Sequence, residues 1–276
     1  MIRIIVDSAA DCRREDGVYD SLVPLTVSIA GKDYLDGVNL TADLFYDLLV
    51  LAEEFPKTSQ PSPESYVQLF QEAKDKGDQV LCFTISSALS GTYQSATIAK
   101  TMVDYEDIYI IDTRMASHLI GLLAEHARVL IRQGKTAPQI YEICEQMKKR
   151  IKVFAGLDTL EYLYKGGRLS RASAAVGQIA GIKPIVTISE EGTVNAGAKV
   201  IGVPRAIQSI VTKVQSLELD EDFPIYTLYT AGTEHTEKLE KKLSDAGYRV
   251  SDRRQVGPTI GAHVGPNVYG VVVVTK

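Results

Sequence analysis

A chain of 276 residues predicts two domains at roughly 150 residues each, and its 45% hydrophobic and 24% charged residues exclude a disordered polymer. A formal net charge of −5 argues against nucleic acid or an anionic membrane held by bulk attraction. Cys12, Cys82 and Cys144 form no C-x-x-C pair and no apolar run nears the ~20 residues of a membrane span, so a cytoplasmic chain with at most transient membrane contact is expected.

The amino terminus opens on Ile2–Val6, β-branched and nearly all apolar, as a strand buried on both faces requires. Val23–Ile29, Val80–Ile85 and Ile108–Asp112 repeat that character. Between them, Thr41 is placed to cap a helix over Ala42–Glu54, and Ser62 a helix that Pro63 opens and Gly77 stops after Lys76. Helices over Thr92–Met102, Ala116–Gln133 and Ala137–Arg150 follow, the last ending in Lys148-Lys149-Arg150 as a solvated, dipole-complementing terminus. This alternation predicts a parallel sheet covered by helices. Its strand ends, Asp7-Ser8, Thr84–Ser90 and Asp112-Thr113, should converge on a ligand.

The second half reads as a mixed α/β unit. A hairpin joins Ile185–Ser189 to Thr193–Val200 through Glu190-Glu191-Gly192, and a helix over Val203–Leu217 carries Pro204 in its first turn. Strand Ile225–Thr230, helix Thr233–Ala246 and strands Tyr248–Arg254 and Tyr269–Thr275 complete it. The expected division is 1–152 and 153–276.

Two hydroxyl-rich segments carry the functional signal, Thr58-Ser59-Gln60-Pro61-Ser62 and Ser86-Ser87-Ala88-Leu89-Ser90-Gly91-Thr92. Each ends at a helix start, where short hydroxyls and unpaired N–H groups suit a carboxylate or phosphate. Ser90 alone reads first as a helix cap, but one cap does not need Ser86, Ser87, Ser90 and Thr92 together. Lys165-Gly166-Gly167-Arg168 fits either an anion clamp or an ordinary helix C-terminus. His263 stands in Gly257–Pro266, a loop dense in glycine and proline that fixes the backbone around it. His118, His126 and His235 fall on helical patterns and read as ordinary polar positions. No P-loop and no paired ligand spacing occur, so neither ATP nor a metal is expected. A hydrolase or acyltransferase with Ser90 as nucleophile and His263 as base is an alternative, although G-x-S-x-G is not matched.

These landmarks, with Ile5-Val6-Asp7-Ser8, Val23-Pro24-Leu25, Tyr34-Leu35-Asp36-Gly37, Ile111-Asp112-Thr113, Leu163 through Ser170, Lys183-Pro184-Ile185 and Gly261-Ala262-His263-Val264-Gly265-Pro266, resemble the DegV family along essentially the whole chain. The resemblance implies an amino-terminal parallel α/β domain, a carboxyl-terminal mixed-sheet α/β domain, and a buried long-chain fatty acid as ligand, without cofactor, metal or catalytic residue. Its carboxylate would be held by Thr58, Ser59, Ser90, Gly91 and Thr92, with Arg168 and His263 on the phosphate side. Leu119 and Leu122 would line the acyl pocket. A separate fatty acid kinase is the implied partner, feeding phospholipid synthesis; a dihydroxyacetone-kinase-like substrate subunit is a further alternative. Four positions depart from the family pattern: Ala9, Leu119, Ile201 and Asn267.

Overall fold

The computed structural model describes residues 1–169 and 181–276; Ser170 of the resemblance lies outside them. Strands β1 (Ile2–Asp7), β2 (Ser21–Val23), β6 (Gln79–Thr84) and β7 (Ile108–Asp112) form an all-parallel sheet in the order β2-β1-β6-β7. Helices α2 (Pro63–Lys76) and α3 (Thr92–Val103) cover one face, and α4 (His118–Arg132) and α5 (Ala137–Met147) the other. Strand period decides which residue meets which layer. Ile4 and Val6 enter the central core, while Ile5 between them packs with Tyr66 and Phe70 of α2.

A second sheet is mixed, in the order β10-β9-β8-β13-β11-β12. It comprises β8 (Ile151–Gly156), β9 (Ile182–Ile188), β10 (Val194–Ile201), β11 (Ile225–Tyr229), β12 (Val250–Gln255) and β13 (Tyr269–Val274). Helices α7 (Val203–Gln215) and α8 (Glu234–Asp245) pack on its outer face through Ile207, Ile210, Leu239 and Leu243. Its inner face, including Val153, Val186, Leu228 and Val272, joins the same core as Leu119 and Leu123 of α4. One helix is thus shared by both sheets, and its first two turns are buried on every side.

Several expectations need correction. Val23–Ile29 is two strands, because Pro24 ends β2 and β3 (Thr26–Ile29) turns into an antiparallel sheet with β4 (Lys32–Leu35) and β5 (Lys57–Ser59). A proline cannot donate to a central ladder, so the chain changes partner there. The expected division between residues 152 and 153 falls inside β8, which belongs as a whole to the second sheet. In Lys148-Lys149-Arg150 only Lys149 is exposed as a solvated helix end would be. Lys148 Nζ donates to the Asp112 carbonyl at 2.7 Å, and Arg150 Nε donates to that of Thr275 at 2.7 Å. Gly257–Pro266 is not a loop throughout: α9 spans Pro258–Val264, started by proline at its first position and ended at Gly265.

Candidate functional site

The parallel strands end where the sequence analysis places them. Asp7, closing β1, accepts N–H bonds from Ile85 at 2.7 Å and Ala9 at 2.9 Å, tying β1 to the turn after β6. Ser87 Oγ donates to Asp112 at 2.6 Å, and Thr113 Oγ1 to the Thr84 carbonyl at 2.7 Å. The strand order reverses across β1, so this is the crevice where open α/β sheets take ligands. The β9–β10 turn closes it from the other side, with Ser86 Oγ donating to the Gly192 carbonyl at 2.8 Å.

Between the parallel strand ends and the inner face of the mixed sheet lies a cavity of about 900 Å³, its mouth included. Its walls are mostly aliphatic, among them Leu25, Ile85, Leu119, Val186, Leu228 and Val268. Thr58, Ser90, Arg168 and His263 supply polar groups, and a web of contacts holds these four together. Thr58 Oγ1 and His263 Nε2 are 2.8 Å apart, and Ser90 Oγ is 2.8 Å from Thr92 Oγ1. Arg168 Nε donates to the Leu89 carbonyl at 3.0 Å, and its Nη1 donates to that of Gly166. Gly166 in turn lies against the imidazole: a Cβ there would sit 2.1 Å from His263 Nδ1. Gln60 bridges the two hydroxyl segments, its amide covering Gly91 and donating to Ser95 Oγ at 3.1 Å.

Arg168 is the one cation among these four groups, and it stands beside an uncharged imidazole. Burial, with the nearby Arg168 charge, lowers the His263 imidazole to about 4, so it is uncharged at neutral pH. Burial also lowers the Arg168 guanidinium from its ordinary value. Behind the cavity wall, burial raises Asp7 to about 7 and Asp36 to about 6, and carries Asp11 well above the carboxylate range. Each of these carboxylates bonds a residue of the wall: Asp7 the Ile85 N–H, Asp11 the Ser117 hydroxyl, Asp36 the Thr259 hydroxyl and N–H.

Of the expected site residues, Thr58, Ser90, Arg168, His263 and Leu119 line the cavity. Thr92 is buried beneath Ser90, and Gly91 is the helix N-cap covered by Gln60. Ser59 points away: it is exposed on β5, because neighbours on a strand face opposite sides. Leu122 is buried in the core but does not line the cavity. Ser90 is not the cap of α3, which begins at Thr92 without a side-chain cap. Ser117, Thr187 and Thr259 are wall residues the sequence analysis missed, and nothing in their local spacing sets them apart. A Ser90–His263 nucleophile pair is not assembled. The serine hydroxyl pairs with Thr92 and the imidazole with Thr58.

The fold has close relatives of known structure. A fatty-acid-binding DegV family protein from Thermus thermophilus superposes with a TM-score of 0.88 at 28% identity, covering 100% of this chain and 99% of that one. A stearic acid-binding protein from Eubacterium ventriosum superposes at 0.89, also at 28% identity and with the same coverage. In sequence, a DegV domain-containing protein of Caldanaerobacter subterraneus subsp. tengcongensis, TTE1491, is 34% identical over 98% of this chain and 97% of its own. The family model described as "Uncharacterised protein, DegV family" matches residues 1–276, and the chain belongs to the DegV family.

Proposed function

We propose that this protein is a non-catalytic carrier that buries a long-chain fatty acid in the aliphatic cavity and offers its carboxylate to a separate fatty acid kinase. The observation that carries the proposal is the segregation of the cavity, with aliphatic walls and a linked cluster of Thr58, Ser90, Arg168 and His263. An acyl tail of about 16 carbons at ~0.8 kcal/mol per buried CH₂ supplies roughly 12 kcal/mol of gross transfer energy before ordering costs. The tail therefore provides affinity, and uncharged hydroxyls suffice to aim the head group. A small polar substrate would leave those walls without a partner, which disfavours the dihydroxyacetone-kinase-like alternative.

The carboxylate sits, on this proposal, between the Thr58 and Ser90 hydroxyls, with Thr92 and the N–H groups at the start of α3 behind Ser90. Neutral His263 orients the Thr58 hydroxyl. Arg168 is partly exposed at the rim, where a phosphoryl group would arrive. The fatty-acid-binding relatives at 28% identity support the same ligand class. Native mass spectrometry of the purified protein should show one stoichiometric long-chain acid, removed by organic extraction and regained on incubation with palmitate or stearate. Ser90→Ala should lower retention about fivefold, the loss of one hydrogen bond of ~1 kcal/mol. A wild-type protein that takes up neither acid overturns the proposal. So does ester hydrolysis by the wild type that Ser90→Ala abolishes, because that outcome makes Ser90 a nucleophile.

A further inference from the structure

A second cleft, about 780 Å³ with the open solvent at its mouth included, lies beside the aliphatic cavity, and three residues, Leu119, Val153 and Ile188, line both. None of Thr58, Ser90, Arg168 or His263 borders the second cleft, so the shared wall stands away from the polar cluster. Beyond the wall the surroundings change character. Arg114, Glu145, Lys148, Lys149, Lys152 and Glu190 line the cleft. Lys148 is fixed there, its Nζ donating to Glu145 Oε1 at 2.8 Å and to the Asp112 carbonyl at 2.7 Å. Leu119 is 2% exposed and Val153 9%, one from α4 and one from β8, with Ile188 closing the gap from the end of β9.

We propose that Leu119, Val153 and Ile188 form the end wall of the acyl tunnel and set the longest chain it accepts. The inference rests on the fatty-acid proposal above and adds to it a length limit with named residues. A methylene on the cavity side of the wall leaves water for aliphatic contact, worth about fourfold in affinity each (~0.8 kcal/mol). A methylene pushed past it enters a mixed space, where Met115 and Ile151 share the lining with ammonium, guanidinium and carboxylate groups, and gains less. Affinity should therefore rise with chain length up to the wall and fall beyond it, because a longer chain must displace the packed side chains of the wall.

The test is competitive loading of the delipidated full-length protein with an equimolar series of straight-chain acids from about 14 to about 22 carbons, read by native mass spectrometry. Leu119→Ala and Ile188→Ala should each move the preferred length upward by roughly two carbons, as the removed side chain yields space to the tail. Leu122→Ala is the control: it removes the same bulk from the same helix at a core position that borders neither cavity. Its profile should match the wild type. Unchanged preference in both wall variants overturns the inference, as does an equal shift in Leu122→Ala, which would mark general loosening of the core. If wild type loads one acid and the wall variants keep its profile, the wall is wrong and the carrier function stands. If wild type loads none, both fall.

Discussion

At the scale of single residues, the site depends on an imidazole held neutral and pinned from two sides. His263 Nε2 has Thr58 as its partner, while Nδ1 is buried with none among the described residues, pressed against Gly166 where any side chain would collide. Thr58→Val keeps the shape but leaves both ring nitrogens unpaired. It should cost about 1–3 kcal/mol of stability by chemical denaturation and reduce acid retention, whereas Thr58→Ser should restore both. A Val variant as stable as wild type would show that the pair contributes nothing. Asn267, where the family pattern has glycine, follows from backbone shape: its φ of 60° lies in the left-handed region, which asparagine tolerates better than other non-glycine residues. Its amide then donates to Asp158 at 2.9 Å. Ile201, another departure, is 64% exposed at the end of β10. The hydroxyl segments, the glycine pair before Arg168 and the isolated His263 stand out by composition as candidates, and it is the family resemblance that singles out Thr58, Ser90, Arg168 and His263 among them. Ser59 and Leu122 were not separable from their neighbours, since which face a side chain takes depends on a strand or helix phase that short segments do not declare.

At the scale of elements, long buried strands and capped helices were legible, and short polar ones were not. Residues Lys57–Ser59 show no period in three positions, and they become β5 only because β3 offers an edge to pair with. The alternation Ile151, Val153, Ala155 of β8 was visible in principle, but it lies where a domain boundary was expected. Helix α9 hid behind its glycines and prolines, which act as its start and stop signals. Gly261 within it has a different cause: a Cβ there would lie 2.6 Å from Tyr46 Oη and 2.8 Å from Phe45 Cε1. Helix propensity favours Gly261→Ala by about 1 kcal/mol, and overpacking opposes it by roughly 1–3 kcal/mol. Both aromatics are 5% exposed or less and cannot swing away, so overpacking should win. Calorimetry should give a lower Tm, and displacement of α9 should carry His263 off Thr58 and weaken acid retention. A raised Tm would mean that α1 (Ala42–Leu51), which bears both rings, yields easily.

At the scale of the molecule, the two sheets are joined by polar ties around α4 as well as by the common core. Glu125 accepts from Tyr226 Oη at 2.9 Å and from Arg254 Nη1 at 2.6 Å, and His118 Nε2 lies 2.8 Å from the Gln255 carbonyl. Burial, chiefly, lowers His118 from the ordinary 6.5 to about 4, so the imidazole is neutral and donates its Nε2–H to that carbonyl. Between those two pH values the unfolded chain binds a proton that the folded chain refuses. The stability gained by keeping His118 neutral is complete above 6.5 and is lost as the pH falls through 4. Asp7 and Asp36 act in the opposite sense. Their folded values of about 7 and about 6 exceed the ordinary 3.8, so their contribution is complete below 3.8 and fades as the pH rises through 6 and 7. A wild-type profile mixes these slopes, and a difference between proteins separates them. His118→Gln keeps a donor for the Gln255 carbonyl and removes one titrating group, leaving both carboxylates in place. Measured by urea unfolding, the variant should be less stable than wild type at pH 7. The gap should narrow as the pH falls from 6.5 towards 4, by up to about 1.4 kcal/mol per pH unit. A gap that stays constant would mean that His118 is hydrated or charged in the folded chain, and that the tie between α4 and β12 is not the neutral hydrogen bond described.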